Sequence, residues 1–136
     1  MYIDAEDQVV GRLASNVAKM LLEGEEIMIF NAEKSIITGN PVANKKIFFE
    51  KIERGDPYHG PFYPKRPDRI LKRIVRGMLP YKKPRGRDAL KRLKVFNSVP
   101  EEFKDKELKK IEGAENKHKY KFVTLAEISK RLGGKI

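Results

Sequence analysis

The chain contains no cysteine and no tryptophan. Without thiols it holds no disulfide, no thiolate metal site and no cysteine nucleophile. Its histidines, His59 and His118, lack a partner at the spacing of a helical metal site, and both are read as loop residues. No segment approaches the roughly 18 consecutive apolar residues of a membrane helix. Asp4, Glu6 and Asp7 stand where a secretory signal carries lysine or arginine, so an untargeted soluble protein is expected. The signatures of nucleotide enzymes are missing too: no G-x-x-x-x-G-K-[ST] loop, and no G-x-G-x-x-G after a strand. Asp4 therefore has no glycine fingerprint to make it a ribose ligand. Ser15 and Ser35 have no His and Asp arranged beside them in the local pattern. The turn before Gly11 opens a helix whose amides suit a phosphate. One glycine is a weak signal, and Gly11 is read as a close-packing position.

What the chain has in excess is positive charge. Thirty Lys and Arg face nineteen Asp and Glu over 136 residues, for a net charge of +11. Residues 1–50 carry 5 basic and 8 acidic side chains, residues 51–94 carry 15 and 4, and residues 95–136 carry 10 and 7. The middle stretch alone thus equals the whole excess. A solvated lysine-rich surface would spread it. Concentration in one stretch is the footprint of a phosphate-binding surface.

One domain is expected over 1–136, with a basic region at about 54–94 and a charged C-terminal part at 101–136. Tyr2-Ile3-Asp4 reads as a strand. Gly11 to Glu23 reads as a helix, with Leu13, Ala14, Val17, Met20 and Leu21 on one face and Gly24 at its end. Ile27–Phe30 is a continuous apolar run, as in a strand buried on both faces. Ser35–Thr38 is another short strand. Gly39-Asn40-Pro41 then gives a turn, a cap and a first-turn proline for a helix reaching about Arg54, which carries Val42, Ile47, Phe48 and Ile52. Further on, Asp88–Leu93 reads as a short helix leading into a strand at Lys94–Phe96, and Pro100–Lys110 as another short helix. Thr124-Leu125-Ala126-Glu127 is a capping box opening a last helix that ends at Gly133-Gly134. Strands separated by helices give an α/β fold with a small, mainly parallel sheet of four strands.

The basic region has two parts of different character. From Gly55 to Pro67 the chain places Pro57, Pro61, Pro64 and Pro67 around Tyr58, His59, Phe62 and Tyr63. The prolines stiffen this loop. Its rings either stack on unpaired bases, as in recognition of single-stranded RNA, or pack on the protein itself. From Asp68 to Leu79, Ile70, Leu71, Ile74, Val75, Met78 and Leu79 form one helical stripe, and Arg69, Lys72, Arg73 and Arg76 fall opposite. These four span about 10 Å along the axis, which suits successive phosphates better than a small ligand. Arginine also matches phosphate with a bidentate fork. An ordinary solvated face would interleave acids, and none occurs between Asp68 and Asp88. Tyr81 to Arg87 follows, basic and glycine-containing, and is expected to be mobile until it meets a polyanion.

Read together, several motifs resemble one family. They are Ile3-Asp4-Ala5, Gly11-Arg12-Leu13-Ala14-Ser15, Asn31-Ala32-Glu33-Lys34 with Thr38-Gly39, Gly60-Pro61, Arg76-Gly77-Met78-Leu79-Pro80, and Gly86, Ala89-Leu90 and Leu93 before the strand with Val95. In this order they are similar to the ribosomal L13 family of the large subunit, from about residue 2 to residue 100, with an echo in Leu125–Gly134. The direct start at the first strand looks closer to archaeal members. The resemblance implies a three-layer α/β/α domain with a mainly parallel four-stranded sheet. It implies binding to large-subunit rRNA, a role in early subunit assembly, neighbouring ribosomal proteins as partners, and a cytoplasmic place in the large subunit. It implies no catalysis, no cofactor, no metal, no membrane and no small-molecule substrate. Candidate RNA contacts are Lys65, Arg66, Arg69, Lys72, Arg73, Arg76, Lys82, Lys83, Arg85, Arg87, Lys91 and Arg92. Gly77 and Gly86 are candidates for close backbone approach, and Tyr58, His59, Phe62, Tyr63 and Tyr81 for base stacking. The alternative is a regulator that binds RNA outside the ribosome.

Overall fold

The computed structural model describes residues 1–53, 64–116 and 120–132. The elements run β1 (Tyr2–Asp4), α1 (Val10–Leu22), β2 (Ile27–Phe30), β3 (Ile36–Thr38), α2 (Pro41–Glu53), α3 (Pro67–Gly77), α4 (Pro84–Lys91), β4 (Leu93–Val95), β5 (Phe122–Thr124) and α5 (Leu125–Arg131). The α/β class expected from the alternation of elements is the one observed.

The sheet differs in detail from the four strands expected. β1, β2 and β4 form a parallel sheet in the order β1-β2-β4, with Ile3 opposite Ile29 and Ile29 opposite Val95. A fourth position beyond β1 is held by Lys109 alone. Its N–H donates to the Tyr2 carbonyl at 3.0 Å, and its carbonyl accepts from Asp4 N–H at 2.9 Å. β3 leaves this sheet and pairs antiparallel with β5, Ile37 opposite Val123. A parallel bridge joins Val9, in the connection between β1 and α1, to Ile36 of β3.

Strand alternation divides the parallel sheet by chemistry. Ile3, Ile27, Ile29 and Leu93 are buried in the main core with Leu13, Ala14, Val17 and Leu21 of α1 and Ile70, Leu71 and Val75 of α3. Burying each such leucine or isoleucine contributes about 1.5–3 kcal/mol. The opposite face is aromatic: Phe30 stacks on Phe96 with centroids 5.3 Å apart, and Phe103 and Tyr2 pack around them. Phe103 sits in a single 3-10 turn, Glu101–Phe103, where a helix to Lys110 was expected. Docking of this ring and the pairing of Lys109 with β1 draw the segment out of helical geometry.

Local signals decide several boundaries. Gly24 ends α1 at φ +99°, a conformation that glycine adopts without strain. The Asn40 Oδ1 accepts from Val42 N–H at 2.9 Å and Ala43 N–H at 3.3 Å, capping α2. Of the apolar residues expected on α2, Phe48 is buried while Val42 and Ile47 are exposed; Ile52 lies outside the described side chains. The box at α5 is formed in both directions: the Thr124 hydroxyl accepts from Glu127 N–H at 3.2 Å, and the Glu127 carboxylate accepts from Thr124 N–H at 3.3 Å. The expected end at Gly133-Gly134 lies outside the described residues. Gly11 overturns the close-packing reading. It is exposed, and a Cβ there would meet nothing within 4 Å, because the packed face of α1 carries Val10, Leu13, Ala14, Val17, Ala18 and Leu21.

The 81–87 stretch also differs. Pro84 opens α4 and the helix runs to Lys91, four residues ahead of the expected start at Asp88. Proline suits the first helical position, and it holds the preceding Lys83 extended at φ −103° and ψ 150°.

Candidate nucleic-acid interface

α3 is built to show one face and bury the other. Pro67, Ile70, Leu71 and Val75 are buried and Ile74 packs partly against the same core. Met78, read as part of the stripe, lies past the helix and is exposed, whereas Leu79 is buried. Arg69 is exposed and Lys72, Arg73 and Arg76 are half-buried, so their stems lie on the protein while the charged heads reach outward. All four line one shallow depression of about 240 Å3, with Pro64 at its edge and Leu90 of α4 in its lining. Cations thus surround an apolar floor. Among the described residues, no carboxylate lies within 4.0 Å of Arg69, Lys72 or Arg73. Their charge is left for a partner.

The remaining candidates divide by what they touch. Arg76 lies 4.4 Å from the Tyr81 ring centroid. Tyr81 therefore holds an arginine over its face, a cation–π contact that orients the guanidinium. Arg66 pairs with Asp68 at 3.5 Å, and Asp68 also accepts from the Asn97 amide at 3.4 Å. Lys65, Lys82, Lys83, Arg85 and Arg87 are exposed. Lys91 and Arg92 line a different depression, with Tyr2, Met28 and Lys94. Tyr58, His59, Phe62 and Tyr63, like Gly60-Pro61 and His118, lie outside the described residues.

Two candidates have structural work that the sequence did not announce. The Arg92 Nη2 donates to the Leu21 carbonyl at 2.7 Å, placing a cation on the last turn of α1 where the helix dipole favours it. Replacing Arg92 with Met is expected to cost about 1.5–3 kcal/mol through this charge-assisted bond, read as a lower melting temperature, while the salt dependence of RNA binding stays unchanged. Gly86 is buried in the first turn of α4. A Cβ there would collide with the Pro80 carbonyl and lie 2.9 Å from Tyr81 N. The close approach seen here is to the chain's own backbone. Gly77 is the opposite case: exposed, with nothing within 4 Å of a Cβ.

The family-like motifs at the carboxyl ends of β1 and β2 are pins of the fold. The Asp4 carboxylate accepts from the Asn31 amide at 2.9 Å and from Glu6 N–H at 3.0 Å. Asn31 takes a left-handed conformation at φ 60°. The Glu33 carboxylate accepts from Ser98 N–H at 2.8 Å. This is where open α/β sheets place nucleotides, and here the acids bind the chain itself.

Fold and surface together define a small α/β protein with one strongly basic face. The chain belongs to the ribosomal protein L13 family, whose model, described as "Ribosomal protein L13", matches residues 1–102. It is 50% identical over 135 residues to the large ribosomal subunit protein uL13 of Methanococcoides burtonii, covering 98% of this chain and 97% of that one. It is 52% identical over 136 residues to the protein of the same name from Methanosarcina barkeri, covering 98% and 97%. The uL13 of Archaeoglobus fulgidus is 52% identical over 134 residues, covering 96% and 86%. These relatives bear the names of ribosomal proteins and not of enzymes. They are archaeal, in keeping with the expected type, and their similarity extends through the charged C-terminal part beyond residue 102.

Proposed function

We propose that the protein is a structural component of the large ribosomal subunit in the cytoplasm. It binds large-subunit rRNA through the α3 face and supports early subunit assembly. The observation that carries the reading is the row Arg69, Lys72, Arg73 and Arg76 around one shallow floor, with no acid among the described residues paired with its first three members. The names of its close relatives point to the same particle. Lys82, Lys83, Arg85 and Arg87 extend the positive surface from the adjoining turn and α4. Surface away from this face serves neighbouring ribosomal proteins. RNA backbone binding of this kind releases counterions and is salt-dependent, while a shaped site adds a specificity ratio. The deciding experiment is a titration of the pure protein against large-subunit rRNA and an unrelated RNA of equal length at several salt concentrations. A specificity ratio that survives moderate salt is expected. Equal binding to both RNAs, fading together with salt, rejects a shaped site.

Gly77 gives a cleaner probe than any cation. The fold leaves room for a methyl group there, and alanine is favoured over glycine in a helix by up to about 1 kcal/mol. Gly77→Ala is therefore expected to leave the melting temperature unchanged or slightly raised. It is expected to weaken rRNA binding, because it fills the space that RNA backbone occupies. Undiminished affinity removes Gly77 from the interface.

A further inference from the structure

The depression on the α3 face has a feature that phosphate binding does not use. Its floor is apolar: Leu90 of α4, Pro64, and the stems of the four cations of α3. Leu90 and Pro64 are both partly exposed, so a ligand can touch them. A paired RNA helix meets a protein through phosphates and 2′-hydroxyls. Such a helix would rest on the cations and leave the floor uncovered. A base freed from pairing offers what phosphates lack, a flat apolar face.

Arg76 adds to the fit. Its guanidinium lies 4.4 Å from the Tyr81 ring centroid, and Arg76 also lines the depression. A guanidinium steadied by an aromatic ring therefore stands at the edge of the floor. Arginine planes are among the surfaces on which bases splayed out of RNA stack.

Size and charge select the occupant. The depression of about 240 Å3 is smaller than the roughly 300–1,000 Å3 of pockets for drug-sized ligands, and it suits one flat ring system. The four cations span about 10 Å of helix axis, which takes phosphates on both sides of one nucleotide rather than a single anion. No described carboxylate pairs with Arg69, Lys72, Arg73 or Arg76. Asp68 is held by Arg66 and Asn97. On α4, Arg87 shares the face of Leu90, three residues away, whereas Asp88, two residues away, does not. Residues 54–63, which precede Pro64, carry one basic and one acidic side chain, Arg54 and Asp56, and leave the sign unchanged.

We propose that this depression receives an unpaired nucleotide of the RNA, its base laid on Leu90 and Pro64 beside the Arg76 guanidinium, its flanking phosphates on Arg69, Lys72 and Arg73. The inference rests on the α3 face being the RNA contact and names the kind of RNA that it takes. Stacking reads no particular base, so the site selects unpaired over paired nucleotides.

The test titrates the full chain against three RNA hairpins: one with a fully paired stem, one with a single unpaired adenosine in that stem, and one with an abasic residue at the unpaired position. The adenosine hairpin is expected to bind about tenfold more tightly than the abasic one, the gain from one stacked base. Leu90→Ala is expected to remove most of this advantage and Leu90→Met to retain it. Each result is a ratio of two RNAs on one preparation, so a shared folding loss cancels. Equal affinity for the adenosine and abasic hairpins overturns the proposal, and so does an advantage that Leu90→Ala leaves intact. The paired hairpin is titrated over salt in parallel with the chain carrying Arg69→Ala and Arg73→Ala. A flattened slope there upholds the α3 contact whatever the base comparison gives, and an unchanged slope rejects that contact and this proposal with it.

Discussion

Replacing Arg69, Arg73 and Arg76 together with alanine is expected to lower the affinity for large-subunit rRNA by two to three orders of magnitude at about 0.1 M salt. Each lost phosphate contact removes roughly 0.7–0.9 from the slope of log affinity against log salt. At about 0.1 M salt, one decade below the 1 M reference, each contact therefore carries nearly one decade of affinity. Three contacts give the stated loss, and the slope flattens by about two to three units. The fold should survive. Arg69 is exposed, and the heads of Arg69 and Arg73 face no carboxylate among the described residues. Arg76 also rests on Tyr81, so its removal costs about 0.5–1 kcal/mol at this partly exposed site. A melting curve separates that loss from the binding defect. An unchanged salt slope rejects this helix face as the phosphate contact.

Gly86→Ala is expected to be the most damaging glycine-to-alanine change among the described residues. The obstacle is the Pro80 carbonyl and the Tyr81 amide, backbone atoms that cannot rotate aside as a side chain does. Overpacking a tight site costs about 1–3 kcal/mol, and a rigid backbone obstacle belongs at the upper end. Against this, alanine gains up to about 1 kcal/mol of helix propensity over glycine. The net is about 2 kcal/mol, or a fall in Tm of about 8 °C for a domain of this size. Gly11→Ala is the internal control. It too places a methyl group in the first turn of a helix, but in open space, and Tm should hold or rise. Equal effects at the two positions reject the close-approach account of Gly86. Because α4 carries Arg85 and Arg87, a displaced α4 also weakens rRNA binding at temperatures where the chain is still folded.

What the sequence revealed was local. The capping box at Thr124 and Glu127, the cap at Asn40 and the glycine end of α1 at Gly24 are signals contained within four residues, and each is found where expected. The α3 stripe was legible because burial of Ile70, Leu71 and Val75 imposes a helical period on the letters themselves. What the sequence hid was distant. β3 pairs with β5 across more than eighty residues, and nothing in Ile36-Ile37-Thr38 says which strand it will meet. The bridge at Lys109 uses only backbone groups, so its side chain leaves no mark. Gly86 was read as room for RNA because a glycine among arginines looks the same whether the neighbour is nucleic acid or Pro80. Arg92 looked like its neighbours until its guanidinium was found on the Leu21 carbonyl. A basic residue that holds the fold and one that holds a partner share the same letter. The arginine row was separable from these because it is periodic and the acids are missing around it.

The basic face is held inside a closed chain loop. Ile27 of β2 pairs with Leu93 of β4, and α3 and α4 both lie in the connection between those neighbouring strands. Pairing of the central strand is therefore also the event that shapes the cationic surface. During synthesis, β2 waits for residue 93 to emerge, so the arginines are exposed on the nascent chain before the sheet that orders them is complete. Such non-local closure is intrinsically slow. A ligand that grips only the ordered face stabilises the closed sheet by mass action, about 4 kcal/mol at a thousand times its dissociation constant. Under the proposed function, RNA at the α3 face and hydrogen bonds between β2 and β4 are two ends of one equilibrium.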